Sequence, residues 1–388
     1  MWPFDRRRKE QRRDFVTPFI SFADVGETTT QAGVSITQSS ATSLPAVYRC
    51  ISLNCDVVST IPVDVMEKQG DKRVKAKEPF WLRRPNEDQN WETFLSQAQA
   101  SLEFDGNLYA LKTSTKGGQL AALNVLNPTT VEPDKLADGN IIYKVQTASS
   151  VEIVPSSAVV HVMGFSLPGA IKGMSPISAM KEAIGLGLAA QQFGAQYFGT
   201  GATLSGVISV PGELEDDVVN RIREQFARKH GGISKSHAIG ILTGGAEWKP
   251  LTVSPEESQF LETRRFTDIQ IANAYGVPPE YVTEAEGAKG YVTGLYARQY
   301  MWMATGINPR LIRLERAFSE LLPGTQYLKF NRNSFLAMDP HERSEFYNMA
   351  LLGRYMTPNQ ILAKEDMDPY PGGDEYLWSV QWRDENAV

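Results

Sequence analysis

With two cysteines in 388 residues, Cys50 and Cys55, the chain has no disulfide framework to build on. They lie five apart in a segment that reads as a helix over 44–59, so they point in different directions. No second pair or histidine cluster completes a metal site, and buried thiols in a reducing cytoplasm are expected. Histidine is almost as scarce: His161, His230, His237 and His341 show neither HxxxH nor HExxH spacing. Nucleotide fingerprints are absent too. Gly199, Gly201 and Gly206 follow a helix instead of a strand, and Gly231, Gly232, Lys235 and Ser236 lack the GxxxxGK[ST] spacing of a phosphate loop. Carboxylates are plentiful but form no acid/base pair, and two-metal cleavage of DNA needs clustered ones. No catalytic residue, metal or cofactor is therefore expected.

Excess positive charge is missing as well. A net charge of −6 argues against a chain that grips nucleic acid over its whole surface. It does not argue against a surface along which nucleic acid has to move, because a tightly basic lining would hold phosphates. There is no long apolar run. Residues 183–212 carry no charge, but Gln191, Gln192 and Gln196 interrupt them, whereas a bilayer span needs about 20 predominantly apolar residues. No membrane span is expected. The first fifteen residues hold six basic and three acidic side chains with no apolar core behind them, which is not a secretory signal. They read as a charged tail, or as a basic arm contacting a protein partner or nucleic acid. Residues 26–43, rich in Thr, Ser, Gln and Gly, are expected to be loosely ordered.

What is present is an ordinary apolar content of 42% and a chain organised around one helical hairpin. The outgoing helix is expected from Pro176 to about Phe198. Ile177, Met180, Ile184 and Leu188 form its apolar face, and Ala179, Ala183, Gly187, Ala190 and Gly194 a ridge of small residues that admits a close neighbour. The returning helix is framed by Ser254, Pro255 and Glu257 at its start and by Gly276, Pro278 and Pro279 at its end. It is apolar at its ends and charged in its middle. Between them, 205–210 reads as a strand, 213–230 as a helix, and 237–242 and 247–253 as strands.

Around the hairpin lies an α+β body. Helices are expected over 44–59 and 91–104, the latter stopped by Gly106. Strands are expected over 63–66, 108–113, 120–126, 141–146, 159–162 and 327–330, with a turn over 69–72. A long helix over 295–322 should bend around Pro309. Helices over 340–352 and 358–364 close the chain before a Pro/Gly-rich tail with Trp378 and Trp382.

The segments GMSPI (173–177), GATLSGVISVPGEL (201–214) and FLETRRF with IANAYGVPP (260–279) resemble the portal proteins of tailed bacteriophages of the Hong Kong 97 type. So do PNEDQNWETF (85–94), GNLYALK (106–112), VVHVMGF (159–165) and MTPNQI (356–361), in the same order across residues 40–375. The resemblance implies a portal fold: a mixed α/β wing in two parts (44–172 and 295–334), a two-helix stem (173–199 and 254–276), a small α/β clip between the stem helices (200–253), a tunnel loop (277–294) and a reduced helical crown with its tail (335–388), after a basic N-terminal arm (1–43).

It further implies a non-enzymatic ring of about twelve copies, closed by cyclic symmetry, at one capsid vertex. Double-stranded DNA would pass through its channel in packaging and ejection. Its partners would be the terminase packaging motor, major capsid and scaffolding proteins, and head-completion or adaptor proteins, with assembly in the host bacterial cytoplasm. Candidate channel residues are Glu284, Glu286 and Lys289. Candidate stem charges are Lys181, Glu262, Arg264, Arg265 and Asp268, which pair between subunits or face the lumen. Arg228, Lys229 and Lys235 are candidates for the clip docking surface. A scaffold or adaptor without a channel, and a hydrolase with an unrecognised site, are the alternatives.

Overall fold

Residues 28–43, expected to be loosely ordered, are folded. Thr28–Thr29 (β1) pairs antiparallel with Ser35–Ile36 (β2), and Gln38–Thr42 forms a one-turn helix, α1. Composition misleads here because the hydroxyls bond nearby backbone groups. Thr37 and Ser40 form a reciprocal capping box, with bonds of 3.0 and 2.8 Å. Two apolar residues, Ile36 and Ala41, are buried and anchor the segment.

The computed structural model describes residues 28–114, 120–199, 206–209, 247–250, 255–283, 298–332, 340–365 and 367–376. The chain divides into two units, Met1–Thr60 with Asp64–Lys329, and Ile61–Val63 with Phe330–Val388.

In the first unit, α2 (Pro45–Thr60) buries Val47, Cys50, Ile51, Asn54, Cys55 and Val58. Burial pushes the Cys50 thiol up to about 12 and raises Cys55 further, so neither is a nucleophile near neutral pH. β3 (Val63–Gln69) is longer than expected and turns through Gly70, at φ +62°, into β4 (Lys72–Lys75). A short α3 (Phe80–Arg83) precedes α4 (Trp91–Asp105), which is capped by the Asn90 side chain and ended by Gly106 at φ +78°.

Six strands then make two antiparallel sheets. β5 (Asn107–Ser114) lies between β6 (Leu120–Leu126) and β10 (Val159–Met163), and β8 (Ile141–Gln146) between β7 (Val131–Lys135) and β9 (Val151–Pro155). β7 and β9 were not foreseen. β7 reads as a loop because it holds Glu132, Pro133 and Asp134, and the proline is tolerated because β7 is an edge strand. Tyr109, Val131, Tyr143, Val145, Val154 and Val159 form one apolar cluster.

The outgoing helix is not continuous from Pro176. α5 (Pro176–Ala179) stops at Met180, which leaves helical geometry at φ −101°, ψ 12°, and α6 (Lys181–Gly199) begins at once, Ile184 N–H donating to the Met180 carbonyl. β11 (Gly206–Ser209) and β12 (Glu247–Pro250) pair antiparallel. The helix expected over 213–230 and the strand over 237–242 lie outside the described residues. α7 (Pro255–Tyr275) ends as its sequence demands. Gly276 adopts φ +67° and Val277 N–H reaches back to the Ala272 carbonyl at 2.9 Å.

The long helix expected around Pro309 contains a wider turn just ahead of the proline. Residues 298–301 are helical, Trp302–Ile307 forms a π-turn, and α8 (Asn308–Ser319) follows with Pro309 in its first turn, where a missing N–H costs little. β13 (Gln326–Phe330) joins β3 on the side away from β4.

In the second unit α9 (Pro340–Leu352) and α10 (Pro358–Lys364) occupy the expected positions. Thr357 and Gln360 cap α10, and Asn359 ties it to the following segment. Asn359 N–H donates to the Gly373 carbonyl at 2.8 Å, and its side chain exchanges bonds with Tyr370 N–H and C=O.

Candidate functional site

The hairpin is built on a shared apolar core. Ile184 and Leu188 of α6 are buried in one cluster with Ile271, Ala272 and Tyr275 of α7 and with Val47, Cys50 and Ile51 of α2. The ridge of small residues is used within the chain at Gly187. A Cβ there would sit 3.0 Å from Leu44 and 3.3 Å from the buried Thr267 of α7. The two helices can approach closely because that side chain is missing.

Both helices are rooted on the end of α4 and the start of β5. Glu103, with only 3% of its side chain exposed, meets Arg310 of α8 in a forked pair, Nε to Oε1 at 2.7 Å and Nη2 to Oε2 at 3.3 Å. Gln99 Nε2 and Asn54 Nδ2 also donate to Glu103 Oε1. Arg310 has donors left over. Nη2 bonds the Tyr275 carbonyl at 2.9 Å, the last residue of α7, and Nη1 bonds the Gly306 carbonyl in the π-turn at 2.7 Å. A buried carboxylate thus fixes an arginine, and the arginine, with a longer bond from Asn54 Nδ2 at 3.4 Å, satisfies the carbonyl at a helix end.

Four residues further on, Asn107 does the same for the start of the outgoing helix. Its Oδ1 accepts from Gly173 N–H at 2.6 Å and its Nδ2 donates to the Gly173 carbonyl at 3.1 Å. Ser175, which caps α5, donates from Oγ to the Phe104 carbonyl at 2.8 Å. The backbones touch. A Cβ on Gly173 would lie 2.2 Å from the Gly106 carbonyl oxygen, and one on Gly106 2.1 Å from that of Met174. Gly164 N–H also donates to Gly106.

His161 completes this side. Nε2 lies 3.2 Å from Asn107 Oδ1, and Nδ1 lies 3.2 Å from the Tyr143 hydroxyl. Asn107 Oδ1 is an acceptor, so His161 donates from Nε2 and accepts from Tyr143 at Nδ1. Burial, with Lys172 nearby, pushes the imidazole down to about 4 and keeps it neutral.

The expected site residues are not gathered here. Glu262 and Arg264 are exposed on α7; Lys181, at the start of α6, and Arg265 and Asp268 are half-buried. Among the described residues Lys181, Glu262 and Arg264 form no ion pair, and burial raises the Asp268 carboxyl, partly offset by Arg264. Glu284, Glu286 and Lys289, and Arg228, Lys229 and Lys235, lie outside the described residues. The network residues Glu103, Asn107 and Arg310 went unseen in the sequence. One signal was available: Leu95, Gln99 and Glu103 are four apart, which sets two polar groups on the buried stripe of α4.

No cluster of His, Cys, Asp or Glu among the described residues could hold a metal, and no described helix is long and apolar enough to cross a membrane. The arrangement positions the two hairpin helices on the body.

A family model described as phage portal protein matches residues 45–366, which include every residue of the root. A probable portal protein of Streptomyces phage phiC31 is 30% identical over 359 residues, covering 88% of this chain and 78% of the relative. The portal protein of Enterobacteria phage HK97 is 26% identical over 361 residues, covering 90% and 84%. Among solved structures, a chain in the neck of a native gene transfer agent particle, computed with C12 symmetry, superposes with a TM-score of 0.61. It is 20% identical, and the match covers 84% of this chain and 91% of that one.

Proposed function

The chain belongs to the phage portal protein family, and on that footing we propose that it is the subunit of a ring at one capsid vertex, through which the genome enters and leaves. The observation that carries the reading is the family match over 45–366, because it spans both hairpin helices and the network that roots them. α6 and α7 are the stem, the segment between them the clip, and the α+β body the wing. Residues 277–294 form the tunnel loop, where Lys289, Glu284 and Glu286 meet the channel. The C12 neck supports a ring of twelve copies. Arg264 and Glu262, exposed and without an ion pair among the described residues, then pair between neighbouring stems or face the lumen.

In this reading the protein has no enzymatic role, and a separate terminase motor supplies the energy. The motor and later the head-completion proteins dock at the clip, with Arg228, Lys229 and Lys235 on the docking surface. Capsid and scaffolding proteins hold the wing, and assembly takes place in the bacterial cytoplasm.

The test is native mass spectrometry of the purified protein with negative-stain imaging of the same sample. A closed ring of about a dozen subunits with a central hole is expected. A discrete dimer without a hole, or a monomer that stays monomeric with capsid and scaffolding protein added, overturns the proposal.

A further inference from the structure

The densest run of cations on the described chain is at the β3–β4 hairpin. Lys68, Lys72, Arg73, Lys75 and Lys77 fall within ten residues, with Asp71 among them and Asp64, Glu67 and Glu78 beside them, in a chain whose net charge is −6. All five cations are exposed. Register places Lys68 directly opposite Arg73, and Met66 opposite Lys75. Lys68, Arg73 and Lys75 therefore share one face, opposite to the face that carries the buried Val65.

Like charges directly across a strand pair destabilise it. Some cations elsewhere are matched, as in Lys144 with Asp134, Arg298 with Glu280 and Arg310 with Glu103. On this ladder Lys75 has Asp64 at 2.8 Å, while among the described residues Lys68, Lys72, Arg73 and Lys77 form no ion pair. No exposed large apolar side chain lies on either strand. A protein partner is usually anchored by buried aromatic or aliphatic groups, whereas phosphate contacts need only cations. Successive cations on one face stand about 7 Å apart, at about 3.4 Å per strand residue, and can follow a polyanion in extended array.

We infer that the Lys68–Arg73–Lys75 face, flanked by Lys72 and Lys77, binds the phosphate backbone of double-stranded DNA without reading its sequence. The choice of DNA among polyanions rests on the portal reading. Its residues are other than those expected in the tunnel loop and among the stem charges.

The experiment titrates the full-length protein and the variant Lys68→Gln/Lys72→Gln/Arg73→Gln against two labelled duplexes of unrelated sequence, at several salt concentrations. Lys75 is left alone so that its pair with Asp64 stays intact. The variant is expected to lose affinity equally on both duplexes, at least about tenfold at low salt, and the slope of log K against log salt to shrink by about 0.9 for each phosphate that is no longer neutralised. An unchanged slope overturns the inference. If the variant then also self-associates, the lysines serve to keep strand edges from pairing. A poly-glutamate peptide that binds as tightly as DNA, and only to the unaltered protein, would assign the face to an acidic protein segment instead. Native mass spectrometry of the same samples separates the two readings. Intact variant rings with undiminished DNA binding sink this inference alone, whereas an unaltered protein that forms no ring sinks the portal reading.

Discussion

The hairpin root and the β3–β4 ladder use charge in opposite ways. At the root, one carboxylate and one guanidinium are withdrawn from water, and between them they join α4, through Glu103 and Gln99, to α2, the end of α7 and the π-turn. On the ladder, four cations are exposed with no ion pair among the described residues. Buried charge has to be matched to be tolerated, and once matched it fixes geometry. Exposed charge left unmatched contributes little to the fold and remains available to a ligand. The same residue types therefore locate the part of the chain that positions and the part that can bind.

The largest effect should come from breaking the root. Arg310→Ala leaves Glu103 buried without its charged partner and removes the shorter of the two bonds to the Tyr275 carbonyl, and should cost about 3–5 kcal/mol in denaturant unfolding. Lys75→Ala, which breaks the exposed pair with Asp64, should cost under about 1 kcal/mol. Equal losses at the two sites would erase the distinction between them.

A smaller loss is expected where the root is held by close backbone approach instead of charge. Gly173→Ala places a methyl group 2.2 Å from a backbone oxygen that no side-chain rotation can move, and should cost about 1–3 kcal/mol as overpacking. Gly372→Ala is the contrasting control. Gly372 has a positive φ, +86°, which Gly173 does not, and nothing within 4 Å of the added atom, so a loss there measures backbone conformation and a loss at Gly173 measures crowding. A Gly173→Ala protein that melts with the unaltered one would show that crowding does not constrain that position.

How much of this could be read from the sequence follows from how local each determinant is. The ends of α7 are set by Pro255, Gly276 and Pro278, all adjacent to the turns they make, and they were legible. So was the stop of α4 at Gly106. Four of the segments that carry the family resemblance, around Gly106, His161, Gly173 and Tyr275, turn out to converge on the root, although nothing in their own periodicity shows it. The Glu103–Arg310 pair joins residues 207 apart, and neither flanking pattern names the other. β7 was hidden by Pro133, residues 28–43 by their hydroxyl-rich composition, and the break at Met180 by an uninterrupted helical spacing. The root is thus a product of topology, whereas the ladder is visible as a run of basic residues and needed only the register to show which of them share a face.

His161 sharpens the comparison, because it is a titratable group that the root keeps neutral instead of pairing. Its folded value is about 4, against about 6.5 for an unperturbed histidine. Between those two values the unfolded chain binds a proton that the folded chain does not. Stability is therefore kept in full above pH about 6.5 and lost as pH falls toward 4, at up to about 1.4 kcal/mol per pH unit. His161→Gln removes the titration while retaining a side-chain amide that can face Asn107. The difference between the unfolding free energies of the two proteins, followed from pH 7 to 4, isolates this group from every other carboxylate and histidine. The unaltered protein should lose stability more steeply across that window and run parallel to the variant above it. Parallel curves throughout would mean that the ring takes up its proton in the folded state, with Nδ1–H turned toward a Tyr143 hydroxyl acting as acceptor. The hydrogen bond that ties β10 to Asn107 would then tolerate a charge, and the root would resemble the ladder more than the geometry implies.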